Sequence, residues 1–218
     1  MENKEQSIEI LNQIHFLMQR SSRFLSLSGL SGIFAGIYAL MAAAFVYWYT
    51  RIFIQNSDSS LIFKNLDQIS EITVLLILVA VLTLVAALST GYYFTRKRAR
   101  KKGLSMWDWT ARRVFINLFI PLVAGGIFCT TLIYHQQYYL ISGSTLLFYG
   151  LALINASNYT LNDIRYLGYF EVILGLIAVL ISGSGLIFWS LGFGLLHIVY
   201  GILMYRKYEK KENDSVIN

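Results

Sequence analysis

Apolar residues run through this chain in long unbroken blocks separated by short polar segments. A membrane-spanning helix needs about 20 mostly apolar residues. Six blocks qualify, at 24–49, 71–94, 114–134, 138–156, 167–182 and 186–205. The fifth is short until its start is read. Thr160-Leu161-Asn162-Asp163 is a Thr-x-x-Asp capping box, which starts that helix near Leu161. Ser105-Met106-Trp107-Asp108 is a second box; it starts the third helix early and places Trp107 and Trp109 as interface anchors. A membrane barrel would need short alternating strands, whereas these blocks are apolar on every side. Residues 1–23 differ: Ile8, Ile10, Leu11, Ile14, Leu17 and Met18 recur at helical spacing among charges. They read as an amphipathic helix lying on the membrane, with too long a polar region for a signal peptide. The expected fold is all-α and polytopic. Six transmembrane helices form a compact bundle at 24–205, after the interfacial helix at 1–23 and before a cytoplasmic tail at 206–218.

Composition agrees with the pattern. The chain has 218 residues, 56% of them hydrophobic and 14% charged. Soluble domains carry about 25% charged residues, and a water-soluble fold of this size could not hide so much apolar surface. Disorder is excluded by the hydrophobicity, and a disulfide scaffold by the single cysteine, Cys129. Charge then sets the orientation. With the N-terminus inside, sixteen of the eighteen basic residues fall on the cytoplasmic side, and only Arg51 and Lys64 fall outside. Both termini are thus expected in the cytoplasm. The densest cluster, Arg96, Lys97, Arg98, Arg100, Lys101 and Lys102, reads as an orientation signal resting on anionic lipid headgroups. No nucleic-acid module accompanies it, so no nucleic-acid partner is expected.

Small and polar residues should turn away from lipid. The first span carries Gly29, Gly32, Gly36, Ala39 and Ala43, a continuous small-residue seam. The sixth carries Ser190, Gly194, His197 and Gly201, and the fifth carries Gly168, Glu171 and Gly175. These seams predict close helix packing within the bundle or between copies in a homo-oligomer. Pro121, the only proline, should kink the third helix and free a carbonyl. Gly143, Tyr149 and Gly150 match Gly194, Tyr200 and Gly201, each 51 residues on, a faint internal repeat.

Two ionisable residues fall inside spans. Glu171 and His197 lie 13 residues before and after Ser184, the tip of the Gly183-Ser184-Gly185 turn. At about 1.5 Å per residue both sit ~20 Å below that tip, level with each other. A carboxylate at that depth is costly unless it is partnered, so a Glu171–His197 hydrogen bond is expected. The bond serves either packing or a proton- or ligand-linked site. Other chemistry is thin. Under this topology His15, His135 and His197 lie at three different depths and cannot share a metal, and no HExxH occurs. Cys129 reads as a buried inert thiol. Neither a cofactor nor a catalytic residue is expected.

The segments TLNDIRYLGYFEVILGLIAVL at 160–180, WSLGFGLLHIVYGILMYRKYE at 189–209 and SSRFLSLSGLSGIFAGIYAL at 21–40 resemble an uncharacterised family of six-span inner-membrane proteins from Bacteroides-type bacteria. The glycine-rich hairpins also look like HdeD-type acid-stress membrane proteins at the level of pattern. The first resemblance implies a bacterial inner-membrane location and no particular activity. The expected function is a non-enzymatic, stress-linked or regulatory membrane component with a cytoplasmic partner at the basic loop or tail. The alternative is a small-solute or proton-coupled transporter using Glu171 and His197. An intramembrane enzyme ranks third, since it would need a nucleophile or metal beside the pair.

Overall fold

A computed structural model describes residues 28–56, 66–101, 107, 109–181 and 183–210. The interfacial helix expected at 1–23, Lys102, Ser105 and the tail from 211 lie outside the described residues. Those described are almost wholly helical: α1 Gly29–Asn56, α2 Leu66–Lys101, α3 Trp109–Tyr134, α4 Ile141–Ala156, α5 Asp163–Leu180, α6 Gly185–Trp189 and α7 His197–Met204. A π-helix, Ser190–Leu196, joins α6 to α7, and a second one, Tyr205–Lys210, continues α7. Among the described residues, five helical stretches are long and apolar enough to cross a membrane: Gly29–Ile52, Thr73–Lys101, Trp109–Tyr134, Tyr138–Tyr159 and Gly185–Glu209. The remaining helix, α5, has 18 residues and includes Asp163, Arg165 and Glu171. The chain is thus an all-α protein of the multi-pass membrane type.

The helices stand in a row. The α4–α5 pair has the most extensive contact; α3 packs on α4, α1 packs on the last span and α2 packs on α1. The outer members keep apolar surface exposed: Val81, Leu82, Leu84 and Val85 on α2, and Ile120, Val123 and Ile127 on α3. In water such surface would be unfavourable, whereas in a bilayer it meets lipid tails.

Two antiparallel glycine contacts set the row. On α1 and the last span, a Cβ built on Gly36 would lie 2.5 Å from the Gly194 carbonyl oxygen, and one on Gly201 would lie 2.7 Å from the Gly29 oxygen. A Cβ built on Gly32 would lie 3.3 Å from Gly201 Cα. On α4 and α5, Gly150 meets Gly168 and Gly143 meets Gly175 in the same fashion. Each contact uses two glycines seven residues apart on both helices. The glycine pairs that matched at a 51-residue offset, Gly143 with Gly194 and Gly150 with Gly201, therefore occupy equivalent places in two similar helix pairs.

Helix ends differ from the sequence reading where charge alone marked a boundary. α2 runs straight through the basic cluster to Lys101. Lys and Arg are good helix formers, and no Gly or Pro occurs between Gly91 and Gly103. At 36 residues the helix is about 54 Å long, well beyond the ~30 Å hydrocarbon layer. The turn between α3 and α4 closes with Gln136 in the left-handed region (φ 59°) and Gln137 N–H donating to the Leu132 carbonyl at 2.8 Å, a Schellman-type end.

Helix α3 continues unbroken through Pro121. Proline has no N–H, so the carbonyl four residues back, that of Asn117, loses its helical donor. The side-chain amide of Asn155 on α4 donates to that carbonyl at 2.9 Å. In lipid an open carbonyl is costly, and a neighbouring helix is one of the few places a donor can come from. Replacing Asn155 with leucine should therefore destabilise the protein by about 1–2 kcal/mol. The same change in a Pro121→Ala background should cost much less, since the helical N–H is restored. Equal losses in both backgrounds, read from thermal melts in detergent, would refute this pairing.

Candidate functional site

Four segments converge where the two glycine contacts meet. Helix α5 brings Glu171, α4 brings Tyr149 and Leu146, the π-helix brings Gly192 and Phe193, and α7 opens with His197. Glu171 is completely enclosed, at 0% exposure, and His197 is 7% exposed. The structure brings together the two residues singled out from sequence: His197 Nδ1 lies 3.4 Å from Glu171 Oε1. The same nitrogen lies 3.0 Å from the Gly192 carbonyl oxygen, and Nε2 lies 2.8 Å from the Tyr149 hydroxyl. A carbonyl only accepts, so Nδ1 carries a proton and the Tyr149 O–H can donate to Nε2. The imidazole is thus oriented at both ends. Phe193 stacks beside it at 5.9 Å between centroids and also packs on Tyr149 at 5.0 Å.

Glu171 is in a different position. Neither carboxyl oxygen makes a hydrogen bond with a protein group, and the contact to His197 is long. On its other side Oε2 abuts Gly192, where an added Cβ would lie 2.5 Å from it. The π-helix makes this approach possible. Its extra residue per turn widens the helix locally, and single π-turns recur at functional sites. Buried polar groups are nearly always hydrogen-bonded, so an enclosed carboxyl held this close to a proton-bearing nitrogen without a full bond is an exception.

Sequence reasoning missed Tyr149 and Gly192 as members of the site. Tyr149 was visible only as part of the repeat. Gly192 carried no signal, because nothing in a glycine-rich run marks which residue will form a π-turn. Among the described residues no three of His, Cys, Asp or Glu come together as metal ligands. Cys129 sits partly buried on α3, and His135 is exposed just past the C-terminal end of that helix.

Arg98 corrects the sequence reading of the basic cluster. It was grouped with residues that meet headgroups, yet it is buried at 7% exposure and faces α7's continuation. Its guanidinium donates to the Tyr208 carbonyl at 3.1 Å and lies 3.5 Å from Glu209 Oε1. Helical spacing explains this: Thr95, Arg98 and Ala99 share the inner face of α2, while Arg96, Lys97, Arg100 and Lys101 share the outer one. Glu209 Oε1 also accepts from Gly29 N–H at 2.6 Å and Ser28 Oγ at 3.0 Å, so a carboxylate caps the positive end of α1.

At the same end, Asp163 opens α5 just beyond the apolar stretch. It takes Lys207 Nζ at 2.9 Å and the Tyr208 hydroxyl at 2.5 Å. Burial pushes its carboxyl up, but the hydrogen bonds from Tyr208 and Lys207 and the lysine charge outweigh that and hold it below the ordinary value of 3.8. A depressed folded pKa stabilises above the unfolded pKa, and this gain is lost as pH falls through the folded value. The wild type should therefore exceed Asp163→Asn in melting temperature at neutral pH, with a solvent-screened gain of about 1 kcal/mol or less. The gap should close in acid below 3.8; a gap that persists there would refute the ion pair.

No protein-family profile, no curated protein and no solved structure matches the chain.

Proposed function

We propose that the chain is a non-enzymatic protein of a bacterial inner membrane, with six spans and both termini in the cytoplasm, that acts as a regulatory or stress-linked component. Its working element is the Glu171–His197–Tyr149 chain, which takes up and releases one proton. The observation that carries this reading is the enclosed Glu171 carboxyl, without a hydrogen bond and 3.4 Å from a nitrogen that bears a proton. Protonation changes the charge at the junction of α4, α5 and the π-helix, so it biases how α5 sits against the last span. Such a shift can be read at the cytoplasmic end, where Asp163 of α5 is tied to Lys207 and Tyr208.

Infrared difference spectra of the purified protein in lipid, taken between acidic and alkaline buffer, test the proposal. A protonated-carboxyl band that changes with pH and disappears in Glu171→Gln is expected. The same band in Glu171→Gln, or no pH-dependent carboxyl band at all, would overturn it. A second reading, proton-coupled transport of a small solute, is favoured by the π-helical break facing Glu171, since interrupted helices line many transport sites. Solute-driven proton movement in proteoliposomes that is lost in Glu171→Gln would select transport over regulation.

A further inference from the structure

The inner end of α2 holds a second polar site, independent of Glu171. Tyr93, Arg96, Lys97, Arg100 and Lys101 line an open groove along one face of α2. The four basic residues share the outer face of the helix, opposite Arg98, and all are exposed. None has an acidic partner among the described residues.

The level of the site in the membrane identifies its occupant. Below it, α2 exposes Val81, Leu82, Leu84, Val85 and Leu88. Next come Tyr92 and Tyr93, residues that settle at the headgroup level. The cations begin one turn later, where lipid phosphates lie. From Arg96 to Lys101 they rise about 7–8 Å along the helix, a span that the long Lys and Arg side chains can close toward one headgroup level. A lipid with a single phosphodiester brings one negative charge to this face; a headgroup with two phosphates brings two and offsets more of the positive charge.

We propose that the outer face of α2 from Tyr93 to Lys101 binds a membrane lipid whose headgroup carries two phosphates, of the diphosphatidylglycerol type. Tyr93 marks the glycerol level, and the four cations divide between the two phosphates, with the acyl chains lying along the apolar surface below.

Native mass spectrometry of the detergent-purified protein, titrated with diphosphatidylglycerol, tests this. A Lys or Arg at an anionic surface contributes enough that removing two should weaken binding on the order of thirtyfold. That loss is expected in Arg96→Gln/Arg100→Gln and, in parallel, in Lys97→Gln/Lys101→Gln. The control Lys210→Gln/Lys211→Gln, which removes the same charge from the tail, should change binding little. Equal weakening in the control would overturn the site and leave only general charge. Equal affinity for phosphatidylglycerol would overturn the two-phosphate assignment, and displacement by inorganic diphosphate would overturn the lipid. Unchanged melting temperatures in both two-cation variants are expected, because these side chains face outward while Arg98 keeps α2 attached to the bundle.

Discussion

Gly36→Leu is expected to be among the more damaging single substitutions in the membrane domain, at a cost of ~3 kcal/mol in detergent. The glycine has no room in front of it. A Cβ there would lie 2.5 Å from the Gly194 carbonyl oxygen and 2.6 Å from Ile198 Cγ1. Backbone cannot rotate away as a side chain can, so a leucine must push α1 off the last span. That separation also breaks the Gly29–Gly201 contact one heptad along, so the damage is not local. Gly126→Leu on α3 is the matched control, since nothing lies within 4 Å of a Cβ at that position. The control change should be neutral, because leucine is also the better helix former. If Gly36→Leu melts with the wild type, the two helices do not depend on this contact.

The second large effect concerns Glu171 and His197. His197→Leu should destabilise more than the double change Glu171→Leu/His197→Leu, because the single change strands an enclosed carboxyl while the double one replaces both polar groups with packing. Glu171→Gln should be milder than Glu171→Leu, since the amide keeps the size, shape and polarity of the carboxyl beside His197 Nδ1. The coupling between the two residues, from a double-mutant cycle on thermal stability, should fall at roughly 0.6–2 kcal/mol. Tyr149→Phe should add a smaller loss of its own, because it removes the hydroxyl held 2.8 Å from Nε2. Zero coupling would mean that the 3.4 Å approach has no energetic meaning, and the proton-binding reading would fall with it.

Most of the architecture was legible because membrane helices announce themselves by apolar length, and because glycines at heptad spacing mark where backbones touch. Gly29, Gly36, Gly194 and Gly201 could be picked out without knowing which helix faced which. The equal distance of Glu171 and His197 from Ser184 placed them at one depth for the same reason: a tight turn fixes the register of the helices it joins. The rest was hidden for physical reasons. A local i→i+5 turn depends on packing rather than composition, so the π-helix at Ser190–Leu196 left no trace in the sequence. Arg98 was hidden among like-charged neighbours, since only the helical continuation of α2 decides which of them turns inward. The row-like order of the helices depends on pairings between distant spans, and block patterns carry no information about those.

The proline in α3 has a consequence for how the chain enters its membrane. A span released into lipid by itself would carry the Asn117 carbonyl into hydrocarbon with no donor from its own helix. Only when α4 follows can Asn155 supply that donor, at 2.9 Å. The turn between the two helices is short, with Gln136 and Gln137 closing it against the end of α3. Insertion of α3 and α4 as a preformed hairpin is therefore favoured over insertion one helix at a time, and a ribosome pause or truncation between Tyr134 and Asn155 would leave the third span poorly anchored in the bilayer.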